Sequence, residues 1–487
     1  MITAADRGVP DLPVVIQGGM GVGVSGWRLA AAVSRAGGLG VVSGVALDTL
    51  LARRLQDGDA DETMRAALSE FPAPDVAASV LKRWFVPGGR PAGRPYRAVP
   101  RLRLDSGLDR QRLAVVAAFA EIHLARAAAP GAPVGVNFME KLQMATPAAA
   151  YGAMLAGADV VLVGAGIPAR IPVLLDTLAG HDAVEFPVDV AGDSPGRHHI
   201  RFDPRAVMGG LLPPLERPAF LAIVSSHTLA TFLARDPATR PDGFVIEGSV
   251  AGGHNAPPRG APKLDHHGEP VYGERDQPDL GQIAGLGLPF WLAGGYSRPD
   301  LVAAAQAAGA RGVQVGTLFA LSAESGLAEP IRRRLLDGLA GGSLRVRTDP
   351  KASPTGFPFK VAQLDGTLSD GAVYDRRTRT CDLGYLRTPY VDPSGRVAYR
   401  CPAEPVSAYI RKGGTAAQTD GRVCLCNGLT SAIGLGQGRA GRPEEPPIVT
   451  LGSDVGGALE MLQAHAGGWS AAQVVDYLRT PTGSTAV

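Results

Sequence analysis

Eight short apolar runs, most of them followed by a helical pattern, constrain this 487-residue chain more than any other feature. They fall at 13–17 (PVVIQ), 39–43 (LGVVS), 133–138 (PVGVNF), 158–163, 220–225, 243–247, 289–293 and 311–316. Such runs, with no polar alternation, read as strands buried on both faces, the habit of parallel sheets covered by helices. Between them lie AAAYGAMLAG, ARIPVLLDTLAG and DLVAAAQAAG, whose apolar residues suit helices. Eight β/α units predict a TIM (β/α)8 barrel of the α/β class; a doubly wound open sheet normally has fewer strands.

Two excursions interrupt the alternation. Residues 45–130 hold a polar helix at 48–70, a Pro/Arg-rich stretch at 86–101 and an Ala-rich amphipathic helix at 109–129. Residues 184–216 read as irregular. After 345 the texture changes to Pro-Thr-Gly turns with many Arg and Asp, and all four cysteines lie there. The expected organisation is a barrel over 1–345 and an irregular C-terminal cap over 346–487, closing with helices near 456–467 and 469–478. Within the cap, KASPTGFPFKV (351–361) is dense in turns and carries two aromatics. Folding over the barrel mouth and wrapping the surface are equally good readings of it.

Composition excludes several partner classes. Lys+Arg total 48 against 46 Asp+Glu, a net charge of +2, so no basic face for nucleic acid is expected. The 45% hydrophobic content is that of a globular chain. No apolar run approaches the ~20 residues of a membrane span, and the N-terminus lacks a signal-peptide pattern. A cytoplasmic enzyme acting on a small molecule is the expectation, with no membrane partner; oligomeric state is not legible.

Four motifs sit just past strand ends, where a barrel of this kind builds its site. Gly294-Gly295 and Val315-Gly316-Thr317 follow the last two strands, where exposed backbone N–H groups cradle a phosphate. EGSVAGGHNAP (247–257) carries His254 behind two glycines that let backbone approach a planar ligand, and a neutral imidazole there serves as base or donor. IQGGMG (16–21) puts small residues around Met20, suited either to lie against a flat ring or simply to make a tight βα turn. Asn137 ends an apolar strand and needs a hydrogen-bond partner, which a cofactor or a neighbouring strand would equally supply.

These motifs together, IQGGMG with SRAGGLGVVS, GVNF, the AGGH loop, LAGGYS and GVQVGTLFALSAES, resemble the nitronate monooxygenase family of FMN-dependent TIM barrels over roughly residues 10–330. The resemblance implies that Met20, Asn137, Glu247, Gly253, Gly294, Gly295, Gly316 and Thr317 contact FMN and that His254 is the catalytic base or a substrate contact. It implies oxidation of alkyl nitronates or nitroalkanes by O2 to a carbonyl compound and nitrite. FMN-dependent NAD(P)H enoyl-thioester reductases share the GGH loop and the phosphate motifs and are the alternative. The sequence departs from the family pattern in two places. Glu247 stands where Gln is usual, and Val250 where a Glu commonly precedes AGGH. Both excursions and the tail exceed a compact member.

Cys381, Cys401, Cys424 and Cys426 cluster in one tail segment. Four thiolates would suit Zn²⁺; buried free thiols are the commoner arrangement, and no metal ligand is assigned. His198-His199 and His266-His267 read as solvated loop residues, and Arg332, Arg333 and Arg334 as a solvated helix face.

Overall fold

The computed structural model describes residues 11–210, 212–439 and 444–481. Eight parallel strands form its sheet: β1 (Val15–Gln17), β2 (Gly40–Ser43), β3 (Val134–Met139), β4 (Val160–Gly164), β5 (Ala219–Val224), β6 (Gly243–Glu247), β7 (Phe290–Ala293) and β8 (Gly312–Val315). Neighbours in the sheet are neighbours in this sequence of strands, and β8 returns to pair with β1. The last gap, between β1 and β2, is bridged at Ile16 and Leu39. There Leu39 N–H donates to the Val15 carbonyl (2.9 Å) and Gln17 N–H to the Leu39 carbonyl (3.0 Å). A sheet that closes on itself in this way is a barrel and has no edge, which excludes the doubly wound alternative.

Strand alternation explains why both faces of each run are apolar. Ile16, Val41, Leu162, Leu221, Val245 and Trp291 fill the barrel interior with their neighbours. The residues beside them, such as Val42, Val161, Val163 and Leu292, face outward and pack under the helices. Trp291 is 1% exposed, and its indole N–H donates to the Pro13 carbonyl (3.0 Å), so the largest interior side chain has no unsatisfied polar atom.

The excursions are more ordered than the sequence suggested. The expected helix at 48–70 is two, Leu47–Gln56 and Thr63–Ser69. Gly58, Asp59 and Glu62 all take positive φ between them, and the Asp59 carboxylate accepts from Met64 N–H (2.9 Å) and Arg65 N–H (2.8 Å), starting the second helix. The helix expected to be amphipathic, Leu108–Ala128, is buried on nearly every side from Leu113 to Ile122, including Glu121. The excursion wraps it, and Glu121 is satisfied by Trp27 N–H (3.0 Å) and by Arg54. Residues 184–216 are not irregular: Val184–Val188 and His198–Phe202 form an antiparallel pair, followed by the helix Pro204–Met208. His198 and His199 thus lie on a strand, and His198 Nε2 pairs with Asp193 (2.9 Å).

The tail also holds more regular structure than an irregular cap. Arg345–Asp349 pairs with Phe359–Gln363, and Thr388–Val391 with Val397–Arg400, both antiparallel. Its last helices are Gly456–Ala464 and Ala471–Arg479. They are anchored to the barrel's final β/α unit: Trp469 Nε1–H donates to the Leu318 carbonyl (2.8 Å), and Ala471 N–H to Glu324 (2.8 Å).

Trp291→Ala should lower unfolding stability by about 3–5 kcal/mol, the range for emptying a large aromatic site in a core that relaxes only partly. Chemical denaturation with an unchanged m-value is the check; a loss under 1 kcal/mol would mean that the barrel interior repacks freely.

Candidate active site

The C-terminal ends of the eight strands open into one cavity of about 270 Å³. That is near the low end of the roughly 300–1,000 Å³ usual for small-molecule sites. All nine residues singled out from the sequence line it: Met20, Asn137, Glu247, Gly253, His254, Gly294, Gly295, Gly316 and Thr317. They come from five different strand ends, and parallel closure is what turns them toward one point.

The floor is backbone. Gly294 and Gly295 take φ of +81° and +88°, and a Cβ on Gly294 would stand 2.9 Å from Ala251 N and 3.0 Å from the Gly248 carbonyl. Only glycine makes this turn without strain. A Cβ on Gly19 would overlap the Asn137 side chain at 2.2 Å, so IQGGMG lies directly against the end of β3. Ala165, which also lines the cavity, holds φ of 60° without being glycine, a strained backbone of the kind that gathers at functional sites.

Several predicted residues already have partners in the chain. The Asn137 amide donates to the Leu162 carbonyl on the neighbouring strand (3.1 Å) and to the Phe138 carbonyl of its own strand (3.0 Å), so its N–H groups are satisfied within the sheet. Gly253 N–H donates to Thr450 Oγ1 (2.8 Å), and Thr317 Oγ1 accepts from Gly452 N–H (2.9 Å). Two polar atoms on the lining lack a partner among the described residues, Ser297 Oγ and Gln314 Oε1, although both are buried. An orphaned buried polar atom is costly unless a ligand or water meets it. A flat ring seated on the glycine turns, with one phosphate by Gly294-Gly295 and Gly316-Thr317, fits this donor set.

The tail forms the other wall, so 351–361 does fold over the mouth. Lys360 N–H donates to the Gly253 carbonyl (2.9 Å), Asn255 N–H to the Pro358 carbonyl (2.9 Å), and His254 bridges to Phe359 as an added strand. His254 Nε2 lies 2.7 Å from Ser353 Oγ, which is itself 2.8 Å from Thr355 Oγ1. The imidazole meets Phe359 edge to face at 4.9 Å. Burial, helped by the positive Lys141, pushes His254 down to about 4, and the ring is neutral at physiological pH. Burial pushes Glu247 the opposite way, up to about 8, and keeps it protonated. Glu140, next in sequence to Lys141, is raised to about 7, mainly by burial.

Sequence reasoning passed over Tyr296, Ser297, Tyr385, Leu386, Cys426, Leu429, Thr450, Gly452 and Asp454, all on the lining. Tyr296 and Ser297 stood inside the quoted LAGGYS motif. The tail residues arrive through contacts far apart in sequence, which no motif in the tail announces.

Cys401 and Cys424 are buried and pack together with Cys381 and Cys426, all as free thiols. Burial raises Cys424 to about 12, while a hydrogen bond to Cys401 lowers Cys381. Among the described residues no group of three or more His, Cys, Asp and Glu side chains is arranged to hold a metal ion. Likewise, no helix there is long and apolar enough to cross a membrane.

This architecture is a parallel α/β barrel whose strand-end glycine loops surround one imidazole, the usual place for a barrel enzyme's site. The profile of the nitronate monooxygenase family matches residues 9–63 and 219–344, the segments that supply β1, β2 and β5 to β8. Together these segments are less than half of the chain, and they make its barrel similar to that family, as the motifs indicated. Over 235 residues it is 27% identical to a (3aS,4S,5R,7aS)-5-hydroxy-7a-methyl-1-oxo-octahydro-1H-indene-4-carboxyl-CoA dehydrogenase of Mycobacterium tuberculosis (strain ATCC 25618 / H37Rv). That match covers 44% of this chain and 60% of the relative, so the chain spans less than two thirds of the curated relative it matches. Among solved structures, a nitroalkane oxidase from Streptomyces ansochromogenes is 19% identical, with 96% of this chain and 94% of that one covered and a TM-score of 0.43. FabK from Thermotoga maritima is 18% identical, with 72% of each chain covered and a TM-score of 0.40.

Gly294→Ala should lower stability by at least about 1–2 kcal/mol, the cost of a left-handed backbone on an L-residue, with its contact against Ala251 and Gly248 added. A melting curve superposable on that of the unchanged protein would mean that the loop after β7 reorganises without penalty.

Proposed function

We propose that the chain is an FMN-dependent oxidoreductase acting on alkyl nitronates, converting them with O2 to a carbonyl compound and nitrite. The supporting observation is the gathering of His254, the glycine turns and the two orphaned polar atoms in one cavity at the strand C-termini. In this reading FMN, when bound, supplies the electron-accepting group. Gly294, Gly295, Gly316 and Thr317 hold its phosphate, and Met20, Asn137, Glu247 and Gly253 meet its ring. The barrel of 1–345 carries the chemistry, and the cap of 346–487 closes the substrate side. Nothing in this reading calls for nucleic acid or a membrane.

His254 holds or moves the proton. A ring lowered to about 4 is free to accept a proton at neutral pH, but it is a weak base. A nitronate, which has already lost its α-proton, therefore suits this site better than a neutral nitroalkane. Lys141, whose charge already reaches His254, favours an anion nearby. Phe359, Leu386, Leu425 and Leu429 keep water from the apolar end of the cavity.

The second reading is an FMN-dependent NAD(P)H enoyl-thioester reductase. The apolar wall contributed by the tail favours it, since a long acyl chain would lie there, and the curated relative acts on a carboxyl-CoA. Anaerobic mixing separates the two: rapid bleaching of the flavin by NADPH favours the reductase, and bleaching by a nitronate favours the oxidase.

The protein should purify yellow, and heat should release FMN. This reading seats one phosphate at the turns after β7 and β8; GVGVSG (21–26), although spaced G-x-G-x-x-G between β1 and the first helix, packs Gly23 against Ile433 and Leu50, so FAD in the mass spectrum would refute the assignment.

His254→Ala should retain the cofactor and lose roughly 10²–10⁴-fold in turnover, more with a neutral nitroalkane than with preformed nitronate. In the unaltered enzyme the acid limb of kcat/KM should fall near pH 4 rather than near 6.5, because only the deprotonated ring is competent. An acid limb at 6.5, or equal losses on both substrates, would remove His254 from the role of base.

A further inference from the structure

A second, smaller pocket of about 40 Å³ lies beside the barrel cavity, and Glu247 lines both. Ser225, Asn255, Arg259, Tyr272 and Asp276 are among its other walls. A water needs roughly 10–15 Å³ of such space and two to four polar partners, so this annex has room for two or three waters in a polar shell. One wall is built for them. Asn255 is only 3% exposed, its amide donates to the Ala251 carbonyl (3.1 Å), and its Oδ1 has no partner among the described residues. The far side reaches the surface, where Ala256, Pro257 and Arg259 are exposed.

We propose that Glu247 is the proton gate of the active site, exchanging protons with waters in this annex and so linking the barrel cavity to solvent. The inference rests on the reading of that cavity as the active site. The step is a proton relay without redox change. The Glu247 carboxyl gives its proton to an anion bound in the cavity and becomes a carboxylate. A proton from bulk then passes along the annex waters to the carboxylate, each water giving up one proton as it takes another. A carboxyl that is protonated at rest suits this role, and burial holds Glu247 in that state up to about pH 8. The charged and titratable groups around it are Tyr272, Asp276 and Arg259 on the annex side and His254 on the cavity side. Asp276 is already engaged by Gly273 N–H (2.8 Å) and Arg259 N–H (2.7 Å), and Tyr272 donates to the Ala256 carbonyl (3.0 Å). Glu247 is therefore the member of the set that borders both spaces.

Infrared titration of the full-length protein tests this without turnover. The protonated-carboxyl absorption at pH 7 should contain a component with a midpoint near pH 8 that is missing in Glu247→Gln, while the Glu140 component, with its midpoint near 7, is missing instead in Glu140→Gln. On transfer to D2O the Glu247 component should shift promptly in the unaltered protein and about tenfold more slowly in Ser225→Leu, which fills the annex. Tyr272→Phe, which keeps the shape and removes one polar partner, should slow the shift to a smaller degree. It carries the test if Ser225→Leu does not fold. No band assignable to Glu247 at pH 7, or exchange unchanged in the folded variants, would overturn the gate. The two readings fail separately. A gated carboxyl in a protein that binds no flavin would refute only the proposed function, whereas an ionised Glu247 in a yellow protein would refute only the gate.

Discussion

Closure of the sheet between β1 and β2 is the interaction on which everything else depends. Two backbone hydrogen bonds through Leu39 and the bridge at Ile16 complete the ring. Once a parallel sheet is closed, all its strands end on one rim, and that rim is the only place where eight loops can converge. IQGGMG, GVNF, the AGGH loop and LAGGYS are far apart in sequence and would have no common neighbourhood on an open sheet. The interior residues Ile16, Val41, Leu162 and Trp291 fill the barrel as a solid core, so a ligand can enter only at the rim.

The rim alone is an incomplete site. His254 is held between β6 and the tail: its loop gains an added strand at Phe359, and its ring meets Ser353 and Phe359. Thr450 and Gly452 hydrogen-bond to Gly253 and Thr317, clamping two glycine loops from outside the barrel. Excluding water from this side lowers the local dielectric, and the shifts of His254 and Glu247 follow from that. A buried imidazole loses its charge and a buried carboxyl keeps its proton. The tail, through Ser353 and Phe359, therefore contributes to the burial that keeps His254 neutral.

The barrel was legible because buried parallel strands leave a strong signature, uninterrupted apolar runs of five or six residues, and all eight runs are strands within about two residues. That the nine candidate residues line one cavity was legible because each follows or ends a strand. The excursions and tail were not, and for identifiable reasons. The break in the helix at 48–70 depends on positive φ at Asp59 and Glu62, which no periodicity reveals. The burial around Leu108–Ala128 comes from segments wrapped over it, which a reading of 109–129 as an amphipathic helix misses; its Glu121 and Arg110 are paired inside. The tail's antiparallel pairs are short and half-buried, and their registers are fixed by neighbours distant in sequence.

The tail adds apolar residues to those that the barrel already brings to the lining, such as Phe138, Leu142 and Ile223. Strand ends offer backbone N–H groups and glycines, which recognise phosphates and flat polar rings but give little grip on an apolar chain. Leu386, Leu425 and Leu429 supply that grip from a separate direction. Tyr385, beside Leu386, also lines the cavity, while its hydroxyl is bound to Asp48 and lies 2.6 Å from Thr49 Oγ1. Asp48 in turn pairs with the buried Arg110. Removing either member of that pair would leave a buried charge without its counterion, which costs more than the pair contributes. The first excursion is thus tied through one buried network to the wall of the cavity, and the shape of the apolar end depends on helices that never touch a ligand.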